Sequence, residues 1–161
     1  MLDKNARILI VDDSMTTRRI LKKYLSNGGF TNTDEAPDGE TAWGKLIDNI
    51  PMISIVFADW HMPNLNGLEL LKKIRGNDEL KSLPFIMITG ERKKEEVEKA
   101  IRAGATSYIV KPFEPQTVYD VMKKIPSPPS FLDHQWDEEQ ERLEKARLEE
   151  LSKKKADGDE K

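Results

Sequence analysis

Five polar residues close short apolar runs in this chain. Asp12 and Asp13 follow "RILIV", Asp59 follows "SIVFA", Thr89 follows "PFIMI" and Lys111 follows "SYIV". Singly, each has an ordinary explanation. Asp12 or Asp13 can cap a helix starting near Ser14, Asp59 can form an Asx turn, Thr89 can cap a helix, and Lys111 can be a surface lysine. Together they describe one chemistry. Three carboxylates at one spot repel unless a cation sits among them, and an all-oxygen ligand set suits Mg2+, which keeps waters and takes a phosphate. The ammonium of Lys111 and the hydroxyl of Thr89 add what phosphoryl transfer needs, where charge builds on equatorial oxygens. A carboxylate can itself be the nucleophile and form an acyl phosphate, and Asp59 is the best placed to do so.

For these residues to meet, the runs must be strands of one sheet. Each run is short, continuous and β-branched or aromatic-rich, the pattern of parallel strands covered on both faces. Helical spacing fills the intervals. Its stripes are Ile20, Leu21, Tyr24 and Leu25 in 15–26, then Ala42, Trp43, Leu46 and Ile47 in 39–48. Next come Leu68, Leu70, Leu71 and Ile74 in 67–75, and Val97, Ala100 and Ile101 in 93–103. Val118, Val121, Met122 and Ile125 mark the last, 115–125. The polar segment "TNTDE" (31–35) reads as an edge strand. Five strand–helix units make an α/β, doubly wound (βα)5 parallel sheet, whose sites form at the carboxyl ends of the strands.

Bulk properties exclude several other classes. The absence of cysteine rules out disulfides and thiolate metal sites. Residues 1–125 hold 19 Lys+Arg against 18 Asp+Glu, and residues 126–161 hold 7 against 11. Neither part is basic enough for nucleic acid to be the partner. No apolar run is long enough for a membrane span, and the opening residues lack a secretory core, so a cytoplasmic location is expected. The domain reading is 1–125 for the α/β unit, 126–136 for a Pro-rich linker containing "PSPPS", and 137–161 for a charged helical tail. Glu-first pairs such as Glu141/Lys145 and Glu149/Lys153 support that helix. The plain expectation for the tail is a solvated helix; a sharper one folds "FLDHQW" (131–136) back onto the α/β unit.

The stretches "ILIVDDS", "ADWHMPNLNGLELLKKIR", "MITGE" and "AGATSYIVKPF" run in order over about residues 6–125. They resemble the receiver domain of two-component response regulators, and the Asp-Trp-x-Met-Pro-Asn stretch resembles its chemotaxis branch. The resemblance implies the flavodoxin-like strand order 2-1-3-4-5 of this family. It makes Asp59 the phosphoacceptor. Asp13, Asp59 and the backbone carbonyl of His61 would hold Mg2+ directly, with Asp12 assisting through water. Lys111 would contact the phosphoryl group, and the Lys111–Pro112 bond is expected to be cis. Thr89 and Tyr108 would act as the switch, and Lys94, Val97, Tyr108 and Val121 would meet partners on the face of the fourth helix, fifth strand and fifth helix. For Val121, where relatives carry a contacting lysine, core packing is the first reading. His61 stands where chemotaxis relatives commonly carry Asn, beside the path of the hydrolytic water.

The function this implies is a single-domain regulator of a chemotaxis pathway. Its partners would be a histidine kinase, the flagellar motor switch protein and a phosphatase, with no nucleic acid and no membrane, and a monomer is expected. The alternative is a phosphate sink or phosphorelay carrier without motor output. A third class, an aspartyl-phosphate phosphatase of the haloacid dehalogenase type, wants a second aspartate where this chain has His61. Beyond moving a phosphoryl group on and off itself, the chain is expected to turn over no substrate.

Overall fold

In the computed structural model, which describes residues 2–50, 52–90, 94–125, 142 and 145–153, strands and helices alternate strictly. The strands are β1 (Arg7–Val11), β2 (Thr33–Ala36), β3 (Ile53–Asp59), β4 (Phe85–Thr89) and β5 (Ser107–Val110). The helices are α1 (Met15–Asn27), α2 (Gly39–Asp48), α3 (Gly67–Arg75), α4 (Lys94–Arg102) and α5 (Pro115–Lys124). All strands are parallel, in the order β2-β1-β3-β4-β5. The (βα)5 expectation and the implied order therefore hold.

Strand alternation divides the core into two layers. Leu9, Val11, Val56, Ala58, Phe85 and Met87 point one way, toward Leu46, Leu70, Leu71, Ile74 and Ala100 of α2, α3 and α4. Ile8, Ile10, Ile55, Phe57, Ile86 and Ile88 point the other way, toward Leu21, Leu25, Val118 and Met122 of α1 and α5. Apolar side chains on both faces explain why these runs are continuous rather than alternating. Three of the helices, α1, α2 and α3, begin on side-chain caps: Ser14, Asp38 and Asn66 accept the amides of Thr17, Thr41 and Glu69.

Three details differ from the sequence reading. The edge strand spans 33–36 rather than 31–35, because Ala36 is the one residue of β2 that buries fully. Ile20, Ile47 and Ile101, expected in helix stripes, are 41%, 43% and 51% exposed. Each lies one position beside the buried seam, and 100° of helical turn carries it off the sheet. The third is Val121, described with the site.

Residues 33 and 35 of β2 direct their main-chain groups away from β1. Local groups take up three of the four. Thr33 donates to the carbonyl of Thr31 at 3.1 Å, Glu35 donates to Asp34 Oδ1 at 2.9 Å, and the Glu35 carbonyl accepts the Lys45 ammonium. Arg7 and Lys45 both reach the Asp34 carboxylate, at 3.0 and 2.8 Å.

The chain divides into two units, Met1–Pro126 and Ser127–Lys161. In the second, residues 145–153 are helical and exposed, Leu148 and Leu151 included. The linker and "FLDHQW" lie outside the described residues. Among the described residues no helix is long and apolar enough to cross a membrane.

Candidate functional site

The site is built at the carboxyl edge of the sheet. Register puts Val11 beside Ala58, Asp59 beside Ile88 and Thr89 beside Val110, so Asp12, Asp59, Thr89 and Lys111 end neighbouring strands. Asp12, Asp13 and Asp59 each offer a carboxylate oxygen, all within 4.8 Å of one another. Asp12 and Asp59 are buried, while Asp13 is exposed at the rim. The Lys111 ammonium donates to Asp12 Oδ2 at 2.8 Å and lies 3.4 Å from Asp59 Oδ1. Thr89 is wholly buried, and its carbonyl accepts the Lys111 amide at 2.8 Å. The Lys111–Pro112 bond is cis.

Electrostatics follow from this crowding. Burial pushes the Asp59 carboxyl above the usual carboxylate range; Lys111 pulls it down, and the negative charges of Asp12 and Asp13 push it up again. For Lys111, burial works against the charged form, but its hydrogen bond to Asp12 and the charge of Asp59 prevail and raise its pKa. The donor set fits a hard divalent cation: oxygens only, with a rim carboxylate, Asp13, that makes no hydrogen bond or ion pair among the described residues.

The loop after Asp59 is held by two close approaches. The Gly67 amide donates to the Trp60 carbonyl at 2.8 Å, and a Cβ on Gly67 would stand 2.2 Å from the Asp59 carbonyl oxygen. The Gly39 amide donates to the Leu65 carbonyl at 3.1 Å, where a Cβ would stand at 2.3 Å. Asn64 takes a left-handed conformation (φ 66°) and donates to Asp38 Oδ2 at 3.3 Å. Gly67, Gly39 and Asn64 thus fix the course of this loop.

The remaining sequence-predicted residues lie outside this cluster. Tyr108 pairs with Met87 across the β4–β5 ladder and is half-buried against the α2–α4 layer. Strand alternation puts Thr89 on that same face, two residues on from Met87. Lys94 is exposed at the start of α4, its ammonium 4.0 Å from Glu98, and Val97 is half-buried one turn on. The His61 side chain is exposed, its ring 6.3 Å from that of the buried Trp60. Val121 corrects an expectation. At 8% exposure it packs in the α1–α5 layer with Val118 and Met122, so the α5 stripe makes it a core residue rather than a partner contact.

One residue of the site went unnoticed in the sequence. Arg18, one turn into α1, donates to the main-chain carbonyl of Asp12 and pairs with Glu35 at 3.2 Å. The available signal was a long basic residue four positions after the cap Ser14, whose side chain must point back toward the helix start.

Comparison with known proteins agrees with this architecture. The model of the response regulator receiver domain matches residues 8–123. The chemotaxis protein CheY-3 of Vibrio cholerae is 47% identical over 130 residues, covering 78% of this chain and 95% of the relative. The chemotaxis protein CheY1 of Helicobacter pylori is 44% identical over 119 residues, covering 74% and 95%. Among solved structures, V. cholerae CheY4 superposes with a TM-score of 0.69 at 30% identity, covering 76% of this chain and 99% of its own. CheY from a CheX–CheY–BeF3–Mg2+ complex of Borrelia burgdorferi gives 0.69 at 35% identity, covering 73% and 86%. With strand order, site and family model in agreement, the chain belongs to the response regulator receiver domain family.

Proposed function

We propose that this chain is a chemotaxis response regulator that carries a phosphoryl group on Asp59. The observation that carries the reading is the Asp59 carboxylate at a strand end, 3.4 Å from the Lys111 ammonium and within 4.8 Å of the Asp12 and Asp13 oxygens. In the forward step an Asp59 oxygen attacks the phosphorus of a phosphohistidine on the kinase. The P–N bond breaks, its electron pair stays on the imidazole, and an acyl phosphate forms. Hydrolysis returns the carboxylate and inorganic phosphate.

Asp13, Asp59 and the main-chain carbonyl of His61 would hold Mg2+, with Asp12 assisting through water. When bound, the ion neutralises charge on the phosphoryl oxygens. Lys111 moves toward the new oxygens, Thr89 bonds to one of them, and Tyr108 repacks on the face it shares with Thr89. Through α4, β5 and α5, including Lys94, Val97 and Tyr108, the new packing reaches the flagellar motor switch protein. The names of the curated relatives support the chemotaxis assignment. The Borrelia burgdorferi complex supports Mg2+ and a second protein partner, for which we assign the role of phosphatase.

The test is Mg2+-dependent labelling with a small acyl phosphodonor. Wild type takes up label and Asp59→Asn does not; equal labelling of the two removes the proposal.

A further inference from the structure

Asp12 and Asp13 are adjacent in sequence but are held in different ways. Asp12 is anchored through its own atoms: Oδ2 accepts from Lys111 at 2.8 Å, Oδ1 from the Ser14 amide at 2.8 Å, and its amide donates to the Ala36 carbonyl at 3.1 Å. The Asp13 carboxylate has no such contact among the described residues. Its position is therefore set through the two peptide planes that flank it. The Asp13–Ser14 plane is pinned where the Ser14 amide meets Asp12 Oδ1. The Asp12–Asp13 plane is pinned where the Asp12 carbonyl accepts from Arg18.

We infer that Arg18, held in place by Glu35, is the positioning residue that aims the Asp13 carboxylate for cation binding. The inference rests on the proposed Mg2+ site and adds residues from α1 and β2 to it.

The geometry gives physical reasons for each part. Arg18 follows the N-cap Ser14 by four residues, with its amide bonded to the Ser14 carbonyl at 3.1 Å. A long side chain there folds back over the first turn and reaches the β1–α1 loop. Its guanidinium serves two acceptors at once, the Asp12 carbonyl and Glu35 Oε1 at 3.2 Å, through donors fixed in one rigid plane. The Arg18 side chain is 13% exposed and that of Glu35 35%, so the guanidinium is the shielded member of the pair. Glu35 also lies 3.6 Å from the Lys22 ammonium and belongs to β2, whose next residue holds the Asp12 amide. Edge strand and first helix thus grip the same residue, Asp12, one at its amide and the other at its carbonyl. With the Arg18 pin removed, the Asp12–Asp13 plane can rotate, and the rim carboxylate samples directions that do not converge with Asp59.

The experiment is a MgCl2 titration of the full chain, followed by amide NMR at Asp13 and Trp60. Thermal unfolding in EDTA serves as the fold control. Arg18→Gln is expected to weaken Mg2+ binding about tenfold, the usual loss when a ligand's supporting partner is removed. The labelling rate should fall in step with Mg2+ occupancy and climb again as MgCl2 is raised. Glu35→Gln, which keeps the side-chain shape, should shift the affinity in the same direction by a smaller factor and carries the test should Arg18→Gln not fold. A folded variant that binds Mg2+ as wild type does, with only its melting temperature lowered, overturns the inference. Wild type that binds no Mg2+ overturns the metal reading itself, and this inference with it.

Discussion

Lys111 donates to Asp12 at 2.8 Å while standing 3.4 Å from Asp59. Before phosphorylation the ammonium is thus committed to the carboxylate that is not the nucleophile. It occupies ground that a divalent cation also seeks, and it stands ready for charge that arrives at Asp59.

This dual position gives opposite effects on binding and on chemistry. Lys111→Met removes a competing positive charge, so Mg2+ affinity should rise. It also removes a donor to the transferring phosphoryl group, so labelling at saturating Mg2+ should slow about a hundredfold. Titration and phosphodonor kinetics on the same sample read both; a variant that loses Mg2+ affinity along with rate would contradict the arrangement.

Asp59 should destabilise the metal-free protein at neutral pH. Burial, with Asp12 and Asp13 adding to it, raises its folded-state pKa above the ordinary value of 3.8. The folded form therefore binds the proton more tightly than the unfolded chain. The penalty on the ionised form is present in full above the folded pKa and vanishes below the unfolded one. Asp59→Asn is expected to gain on the order of 1 kcal/mol at pH 7 in EDTA, and that gain should fade as pH drops to about 4. Urea unfolding across that range checks it, and no gain at pH 7 would refute the assignment of strain to Asp59.

Two glycines should respond to alanine with opposite signs. Gly67→Ala sets a Cβ 2.2 Å from the Asp59 carbonyl and 3.0 Å from Trp60 Cα, both main-chain atoms with little room to yield. A loss of roughly 1–3 kcal/mol is expected, with slowed labelling because the displaced atoms belong to the acceptor loop. Gly44, in the interior of α2, has nothing within 4 Å of its Cβ position. Gly44→Ala should stabilise by about 0.5–1 kcal/mol and leave labelling unchanged. Denaturant midpoints and labelling rates of the two variants give the comparison.

Much of this arrangement was legible in the sequence because parallel strands covered on both faces leave a continuous signature. "RILIV" and "SYIV" match β1 and β5 residue for residue, and Asp12, Asp59, Thr89 and Lys111 stood out as polar groups ending apolar runs. Less legible were positions where one helical step decides burial. Ile20 is apolar and adjacent to Leu21, yet only Leu21 meets the sheet. For Val121 the stripe with Val118, Met122 and Ile125 already pointed to the core, and only its position in the family implied a partner contact. Arg18 escaped notice because it bonds a main-chain carbonyl, and such an acceptor is the same at every residue type. The Gly39 approach was missed because it joins the first residue of α2 to a loop distant in sequence, and only the folded chain brings them together.

Three of the four outward-facing groups of β2, both donors among them, are already occupied by Thr31, Asp34 and Lys45. An unprotected edge is where a neighbouring chain can add itself and begin cross-β growth. In a crowded solution this edge offers an incoming strand neither of its outward amides and a fence of charge from Asp34, Glu35 and Lys45. Resistance to aggregation is thus written into the same short strand that holds the Asp12 amide.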